Sequence, residues 1–96
     1  MKMPLFDTVI HAPNRLQICA FLVQLQEAEF QVLRDELDVS DSVLSKHIKQ
    51  LENVGYVSQR KNKFNGRQRT WVSLTDQGQK AFAGHVEELK RLAGIG

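Results

Sequence analysis

The side chains best suited to chemistry in this 96-residue chain are cationic and polar groups that crowd into its middle third. Residues 42–71 carry a net charge of +6, whereas residues 1–41 carry −4 and residues 72–96 are neutral. Such a segment attracts polyanions, above all a phosphate backbone, while the acidic first third would repel one. Charge alone also fits a solvated basic surface, so the positions of the individual side chains must distinguish such a surface from a binding site for a polyanion.

One group of these side chains falls at helical spacing. An apolar stripe of Leu44, Ile48 and Leu51 must face a core, which leaves the opposite side of the helix available for contacts. Ser40 can cap the start of this helix, and Gly55 can end it in a left-handed conformation. Lysine and glutamine side chains can reach base edges of DNA, and serine can contact a base or a phosphate. The residues on this side that we expect to contact DNA are Ser42, Ser45, Lys46, Lys49 and Gln50.

After Gly55 the helical pattern gives way to alternation, with β-branched and aromatic residues in the segment 70–74. Asn65-Gly66 is a strong hairpin signal, because a type I′ turn needs a positive φ at both positions. A basic hairpin can follow a phosphate backbone or place an arginine, here Arg67, in a minor groove. The alternative is a charged edge that only prevents strand pairing. The hairpin residues that we expect to contact DNA are Lys61, Lys63, Asn65, Arg67 and Arg69.

The remaining elements complete a helix-turn-helix with a wing. Pro13 opens a first helix after an apolar lead-in that could form a short helix, the segment 27–30 allows a very short strand, and Thr75 caps a last helix. This order predicts an α+β, mostly α, fold: a winged helix-turn-helix, that is, a three-helix unit plus a β-hairpin wing, with an additional C-terminal helix. We expect one domain over residues 1–96, with the helix-turn-helix near 31–54, the wing near 56–74 and a C-terminal dimerisation helix near 75–93.

The two terminal segments carry more apolar side chains than a core of this size obviously needs. Exposed apolar patches of this kind usually mark an interface, so the two segments predict contact with a second copy of the chain. The alternative is that they simply cover the small core. The residues concerned are Leu5, Phe6 and Val9 in the lead-in and Phe82, Val86, Leu89 and Leu92 in the last helix.

The sequence offers no constellation for catalysis, so we expect no enzyme activity and no cofactor. Cys19, the single cysteine, lies in an apolar run, which disfavours a redox switch. The three histidines do not form a metal-ligand pattern, and His47 is expected to pack or hydrogen-bond at the inner edge of the reading helix. No stretch approaches the about 18 apolar residues of a membrane span, and no secretory signal is visible, which favours the cytoplasm.

The run V-L-S-K-H-I-K-Q-L-E-N-V-G-Y-V at 43–57 resembles the recognition helix and first wing strand of MarR/ArsR-like winged-helix transcriptional regulators. The strand start R-Q-R-T at 67–70, the L-T-D-Q-G at 74–78 and the approach H-A-P-N-R-L at 11–16 are similar to those of the small single-domain members. The resemblance covers nearly the whole chain. It implies a homodimer, joined through its terminal helices, that binds a pseudo-palindromic operator and usually represses. Metal-sensing relatives carry paired cysteines or acidic and histidine sets on a helix, which this chain does not match.

The sequence therefore predicts a dimeric regulator that binds double-stranded DNA sequence-specifically. The helix 41–54 would read the major groove, and the 60–70 wing would contact flanking backbone or minor groove. The rival prediction is a winged-helix protein–protein interaction module, which the positive charge of the middle third disfavours. No second domain is indicated for a small-molecule effector, although the dimer interface could hold one, as the resemblance allows.

Overall fold

The computed structural model describes residues 6–95, which form five α-helices and one three-stranded antiparallel sheet. The predicted winged helix-turn-helix is confirmed, including the very short strand after the helix that begins at Pro13. The elements in chain order are α1 (Thr8–His11), α2 (Pro13–Leu22), β1 (Ala28–Glu29), α3 (Phe30–Leu37), α4 (Asp41–Asn53), β2 (Val57–Phe64), β3 (Arg67–Leu74) and α5 (Asp76–Ala93).

Local side-chain caps explain where three of the helices begin. The Ser40 hydroxyl accepts from the Val43 amide at 3.2 Å at the start of α4, as the sequence predicted. The Thr75 hydroxyl accepts from the Gly78 amide at 3.0 Å at the start of α5, and Asp7 caps α1 in the same way. Each cap satisfies an amide that would otherwise lack a partner in the first turn.

The sheet has the order β1-β3-β2, and its hairpin is the wing. The pairs run from Val57 opposite Leu74 to Phe64 opposite Arg67. Asn65 and Gly66 between them have φ values of 54° and 77°, so the positive φ that a type I′ turn requires is present at both positions. Beyond Val57 every residue of β2 is exposed, so most of the wing projects from the body of the protein.

The core lies where α2, α3 and α4 meet the base of the sheet. The predicted stripe of α4 is confirmed, because Leu44, Ile48 and Leu51 are buried. The helical spacing of Val43 and Val54 also predicts that they belong to this stripe, and this prediction is wrong: the two residues are 38% and 37% exposed. The two valines lie at the edges of the stripe, where the neighbouring elements do not cover them fully.

Helix α5 packs closely against the beginning of the wing. The Thr75 hydroxyl donates to the Gly55 carbonyl at 2.6 Å, and a Cβ built on Gly78 would lie 2.0 Å from the Tyr56 carbonyl oxygen. Only glycine lets the two backbones approach this closely. This contact fixes the position of α5 relative to the hairpin.

The predicted interface residues differ in how far the body of the protein covers them. Val9 and Phe82 pack against the core, which agrees with the alternative that they cover it. Phe6 packs against the rings of His11 and His85, with centroids 4.7 and 4.8 Å away. The apolar side chains are more exposed to solvent towards the end of α5. Val86 and Leu89 are half-buried, whereas Leu92 is 53% exposed. Leu5 lies outside the described residues.

Candidate nucleic-acid interface

One face of α4 carries all five side chains that the sequence proposed as base or phosphate contacts. The buried stripe fixes the rotation of the helix, so the opposite face is turned to solvent. The exposed residues on it are Ser42, Ser45, Lys46, Lys49 and Gln50. This arrangement can present both cationic groups and hydrogen-bonding groups to a ligand that lies along the helix.

The side of this face next to α2 is organised by Arg15. The Arg15 Nη1 group donates to the Gln50 Oε1 atom at 2.5 Å and lies 3.2 Å from the Nδ1 atom of His47. His47 is half-buried and hydrogen-bonded, as predicted, with the Asn14 amide 3.4 Å from its other ring nitrogen. Burial lowers the pKa of His47, and the charges of Arg15 and Lys46 lower it further.

The wing places its cations in two different environments. Lys61, Lys63 and Arg67 are exposed, with Arg67 directly after the turn. Arg69 is half-buried: its guanidinium lies 3.3 Å from the Glu29 carboxylate and 5.0 Å from the centre of the Phe64 ring. Arg69 is therefore part of the wing's own packing, and its contact with DNA stays a prediction.

Alternation along β3 places Trp71 on the side opposite Val72, and in the structure Trp71 packs on the outer face of the wing. The Arg60 guanidinium lies 5.5 Å from the centre of the Trp71 ring, across the strand pair, and also pairs with Glu27 at 2.6 Å. The indole Nε1 group donates to the Asn62 side chain at 3.2 Å. Val72 is buried on the opposite face, so the predicted alternation of β3 is confirmed.

A cleft of about 330 Å³ connects the wing with the start of α4. Asp41 lines it from α4 and Arg67 lines it from β3. Arg34, also in its wall, holds Asp41 in an ion pair of 2.8 Å. The beginning of α4 and the first residues of β3 after the hairpin turn therefore border the same depression.

Five cations of this surface have no carboxylate within 4.0 Å among residues 6–95, in contrast to the paired Arg34, Arg60 and Arg69. The five are Lys46, Lys49, Lys61, Lys63 and Arg67. Unpaired cations keep their full attraction for an anionic partner, whereas paired ones must first give up a carboxylate. The charge that the sequence assigns to the middle third is therefore concentrated on α4 and the wing.

A polar network that sequence reasoning missed joins the first and last helices. The Tyr56 hydroxyl donates to the Asp7 carboxylate at 2.5 Å, and the Asp7 amide donates to Nδ1 of the buried His85 at 3.0 Å. The His85 Nε2 atom lies 3.2 Å from Nδ1 of His11. Tyr56 and His85 are 49 and 78 positions from Asp7 in the chain, so no local sequence pattern could predict that they meet.

Cys19 is buried in the core, which agrees with its place in an apolar run. Burial raises its pKa to about 12, opposite to what a reactive thiolate needs. Among the described residues, no group of three or more His, Cys, Asp or Glu side chains could hold a metal ion. In the same part of the chain, none of the helices is long and apolar enough to cross a bilayer.

Comparison with known proteins places the chain in a family. The profile of the family described as a winged helix DNA-binding domain matches residues 14–93. The uncharacterized protein MJ0432 of Methanocaldococcus jannaschii is 33% identical over 91 residues, 95% of each chain. The uncharacterized HTH-type transcriptional regulator YdgJ of Bacillus subtilis is 31% identical over 78 residues, 81% of this chain and 47% of that protein.

A solved structure supports the same assignment. The transcriptional regulator homologue from Pyrococcus horikoshii OT3 superposes with a TM-score of 0.85 at 31% identity, covering 92% of this chain and 87% of that one. The resemblance that the motifs of α4 and the wing suggested is thus confirmed across nearly the whole chain. This chain belongs to the winged-helix family of DNA-binding transcriptional regulators.

Proposed function

We propose that this protein is a sequence-specific, double-stranded DNA-binding regulator that acts as a homodimeric repressor on a pseudo-palindromic operator. The observation that carries the proposal is the grouping, on the exposed face of α4 and on the wing, of five cations that have no carboxylate partner among residues 6–95. The whole chain would act as one DNA-binding domain, in the cytoplasm and without enzyme activity. Relatives described as transcriptional regulators, rather than enzymes, support this reading.

In this proposal α4 enters the major groove. The buried side of the helix, with Leu44, Ile48 and Leu51, holds its axis, so the opposite face can lie against base edges. Lys46, Lys49 and Gln50 are long enough to reach bases, while the two serines can contact bases or backbone. The residues assigned to this contact are Ser42, Ser45, Lys46, Lys49 and Gln50.

The wing would contact DNA beside the groove that α4 occupies. Lys61 and Lys63 would meet phosphates, and Arg67, with Asn65 at the turn, would reach the flanking backbone or minor groove. Arg69 could serve Glu29 and a phosphate together, because a guanidinium has five N–H donors.

A second copy would join through the lead-in and the last helix, with the open end of α5 at the centre of the contact. Val86 and Leu89 are half-buried there, and Leu92 is 53% exposed. A two-fold dimer places two copies of α4 on successive major grooves about 34–36 Å apart. Repression is assigned because the family resemblance implies it.

The test is selection of bound duplexes from a random pool, followed by salt titration on the enriched sequence. We expect two inverted half-sites one helical turn apart. If each of the five cations neutralises one phosphate, the slope of log K against log salt is about −4.5 per protomer. Lys46→Ala should relax sequence preference, Arg67→Ala should weaken all sequences alike, and Lys80→Ala on α5 is the matched control. Salt-insensitive binding without enrichment would contradict the proposal and favour the protein–protein interaction module.

A further inference from the structure

The side-chain oxygen of Gln50, on the side of the exposed α4 face next to α2, already accepts a hydrogen bond inside the protein. The Arg15 guanidinium donates to it at 2.5 Å. Arg15 is itself held in place, because its Nε group donates to the Val9 carbonyl at 2.5 Å and its Nη1 group lies 3.2 Å from Nδ1 of His47. Nη1 carries two hydrogens, so it can serve Gln50 and His47 together.

The chemistry of this contact fixes which way the Gln50 amide points. A guanidinium has donors only, so the atom of Gln50 that faces it must be the oxygen, and the NH₂ group must point elsewhere. Gln50 is exposed, and the structure shows no partner for its NH₂ group among residues 6–95. Gln50 therefore presents two N–H donors to the groove while its acceptor is turned back towards α2.

This polarity changes what a glutamine can read. Glutamine recognises adenine by accepting from N6–H₂ and donating to N7 at the same time, which requires both ends of its amide. With the oxygen turned towards Arg15, only the NH₂ group of Gln50 faces the groove, so donation is the contact that Gln50 can make with a base there. The base edges that offer acceptors without a competing donor in the major groove are those of guanine, with O6 and N7, and thymine, with O4.

We propose that Arg15 is a specificity-determining positioning residue: by occupying the Gln50 oxygen, it makes Gln50 select guanine or thymine and reject adenine. The inference rests on the proposed function, since it requires that α4 reads the major groove. His47 contributes because its Nδ1 lone pair accepts from the same Arg15 group, which requires a neutral ring. Burial and the charges of Arg15 and Lys46 lower the pKa of His47 and so favour the neutral ring, while hydrogen bonding by the Gln50 side chain acts in the opposite direction.

The experiment is duplex selection from a random pool with the full chain and four variants. Gln50→Met removes both ends of the amide and identifies the base position that faces residue 50, because that position alone should lose its preference. In the parent protein we expect guanine or thymine there. In Arg15→Ala the freed oxygen should raise the share of adenine relative to guanine by at least about five-fold. Arg15→Lys keeps a donor for the oxygen and should preserve the parent preference.

Arg60→Ala is the matched control, because it also removes an arginine, but one whose side chain pairs with Glu27 and Trp71 rather than with Gln50. It should leave the position facing Gln50 unchanged. If Arg15→Ala does not fold, Arg15→Met keeps the aliphatic stem and tests the same point. A parent preference for an A·T pair that weakens when 7-deazaadenine replaces its adenine, or an unchanged base pair in a folded Arg15 variant, would overturn the inference. No preference at all in the parent would instead overturn the proposed function.

Discussion

Tyr56 is the single tyrosine of the chain, and its hydroxyl donates to the Asp7 carboxylate at 2.5 Å. This hydrogen bond, with burial and the negative charge of Asp7, raises the pKa of Tyr56 to about 12. We therefore expect the phenolate absorbance of the native protein to appear far above pH 10. Because no other tyrosine contributes, an ultraviolet titration reports this one hydroxyl.

Asp7→Asn is the variant that tests the cause of this shift. It removes the carboxylate charge, so the Tyr56 pKa should return towards the ordinary value of 10.0. Circular dichroism at each pH shows whether the protein is still folded. A folded parent protein that ionises Tyr56 near pH 10 would show that the contact does not persist in solution.

Gly78 carries the close approach of α5 to the wing, so replacing it should cost stability. In Gly78→Ala the new Cβ would lie 2.0 Å from the Tyr56 carbonyl oxygen, and the two backbones would have to separate. We expect a loss of about 1–3 kcal/mol in the free energy of unfolding, the usual range for overpacking. Gln79→Ala, on the exposed side of the same helix, should change it by less than about 0.5 kcal/mol. Denaturant titration compares them, and equal effects would show that the approach is not tight.

Sequence reasoning succeeds for residues whose role depends on near neighbours in the chain. Leu44, Ile48 and Leu51 follow the helical period, and Asn65-Gly66 is a local turn. Burial of side chains at the margin of a stripe, as at Val43 and Val54, depends on how far neighbouring elements extend. The contact of Arg15 with Gln50 joins residues 35 positions apart, and only the packing of α2 on α4 brings them together.

At the scale of elements, the two-residue strand β1 clamps the base of the wing. It pairs with β3 through Ala28 opposite Val72 and Glu29 opposite Trp71. Two glutamates at this strand form ion pairs with arginines of both wing strands: Glu27 pairs with Arg60, and Glu29 pairs with Arg69. The sequence indicated a very short strand here, but not that its acids would neutralise two of the wing's cations.

Helices α1 and α5 are joined by a histidine contact that should make stability depend on pH. The Asp7 amide can only donate, so Nδ1 of His85 must be unprotonated, and its Nε2–H donates to Nδ1 of His11. Burial lowers the pKa of His85, and His11 lowers it further while Asp7 acts in the opposite direction. The lowered pKa of His47 acts in the same sense on stability.

A histidine whose pKa is lower in the folded state binds more protons when unfolded, so it stabilises the fold fully above its unfolded pKa of about 6.5. We therefore expect the free energy of unfolding to fall as the pH drops through and below this value. The measurement is the urea midpoint between pH 7.5 and pH 5, where the carboxylates remain largely ionised.

The control uses the slope of stability with pH rather than stability at one pH. His85→Gln keeps an acceptor and a donor but cannot titrate, so the slope should decrease even if the variant is less stable. In the double variant that combines His85→Gln with His47→Gln, the remaining slope of stability with pH should also disappear. An unchanged slope in the double variant would show that neither histidine is responsible.

At the scale of the whole molecule, the described residues form an elongated body of 52 × 25 × 22 Å. One copy presents a single α4, enough for one half-site of about half a helical turn of contacts. The 18-residue helix α5, about 27 Å long, has an exposed apolar side chain, Leu92, near its end. The proposed dimer requires that a contact between two such ends leave α4 and the wing of each copy available for DNA.

Leu92→Asp tests this assembly, because it places a charge on the exposed apolar end of α5, where Leu92 is 53% exposed. If α5 forms the dimer contact, the variant should dissociate at protein concentrations at which the parent is dimeric, and the parent alone should gain thermal stability with concentration. Analytical ultracentrifugation gives the dissociation constants, for which we expect at least a ten-fold difference. Val32→Asp on α3, where the valine is 47% exposed, is the matched control and should leave the dimer intact. A parent protein that stays monomeric at all concentrations, yet binds a two-half-site operator with undiminished affinity, would show that the two copies meet only on DNA.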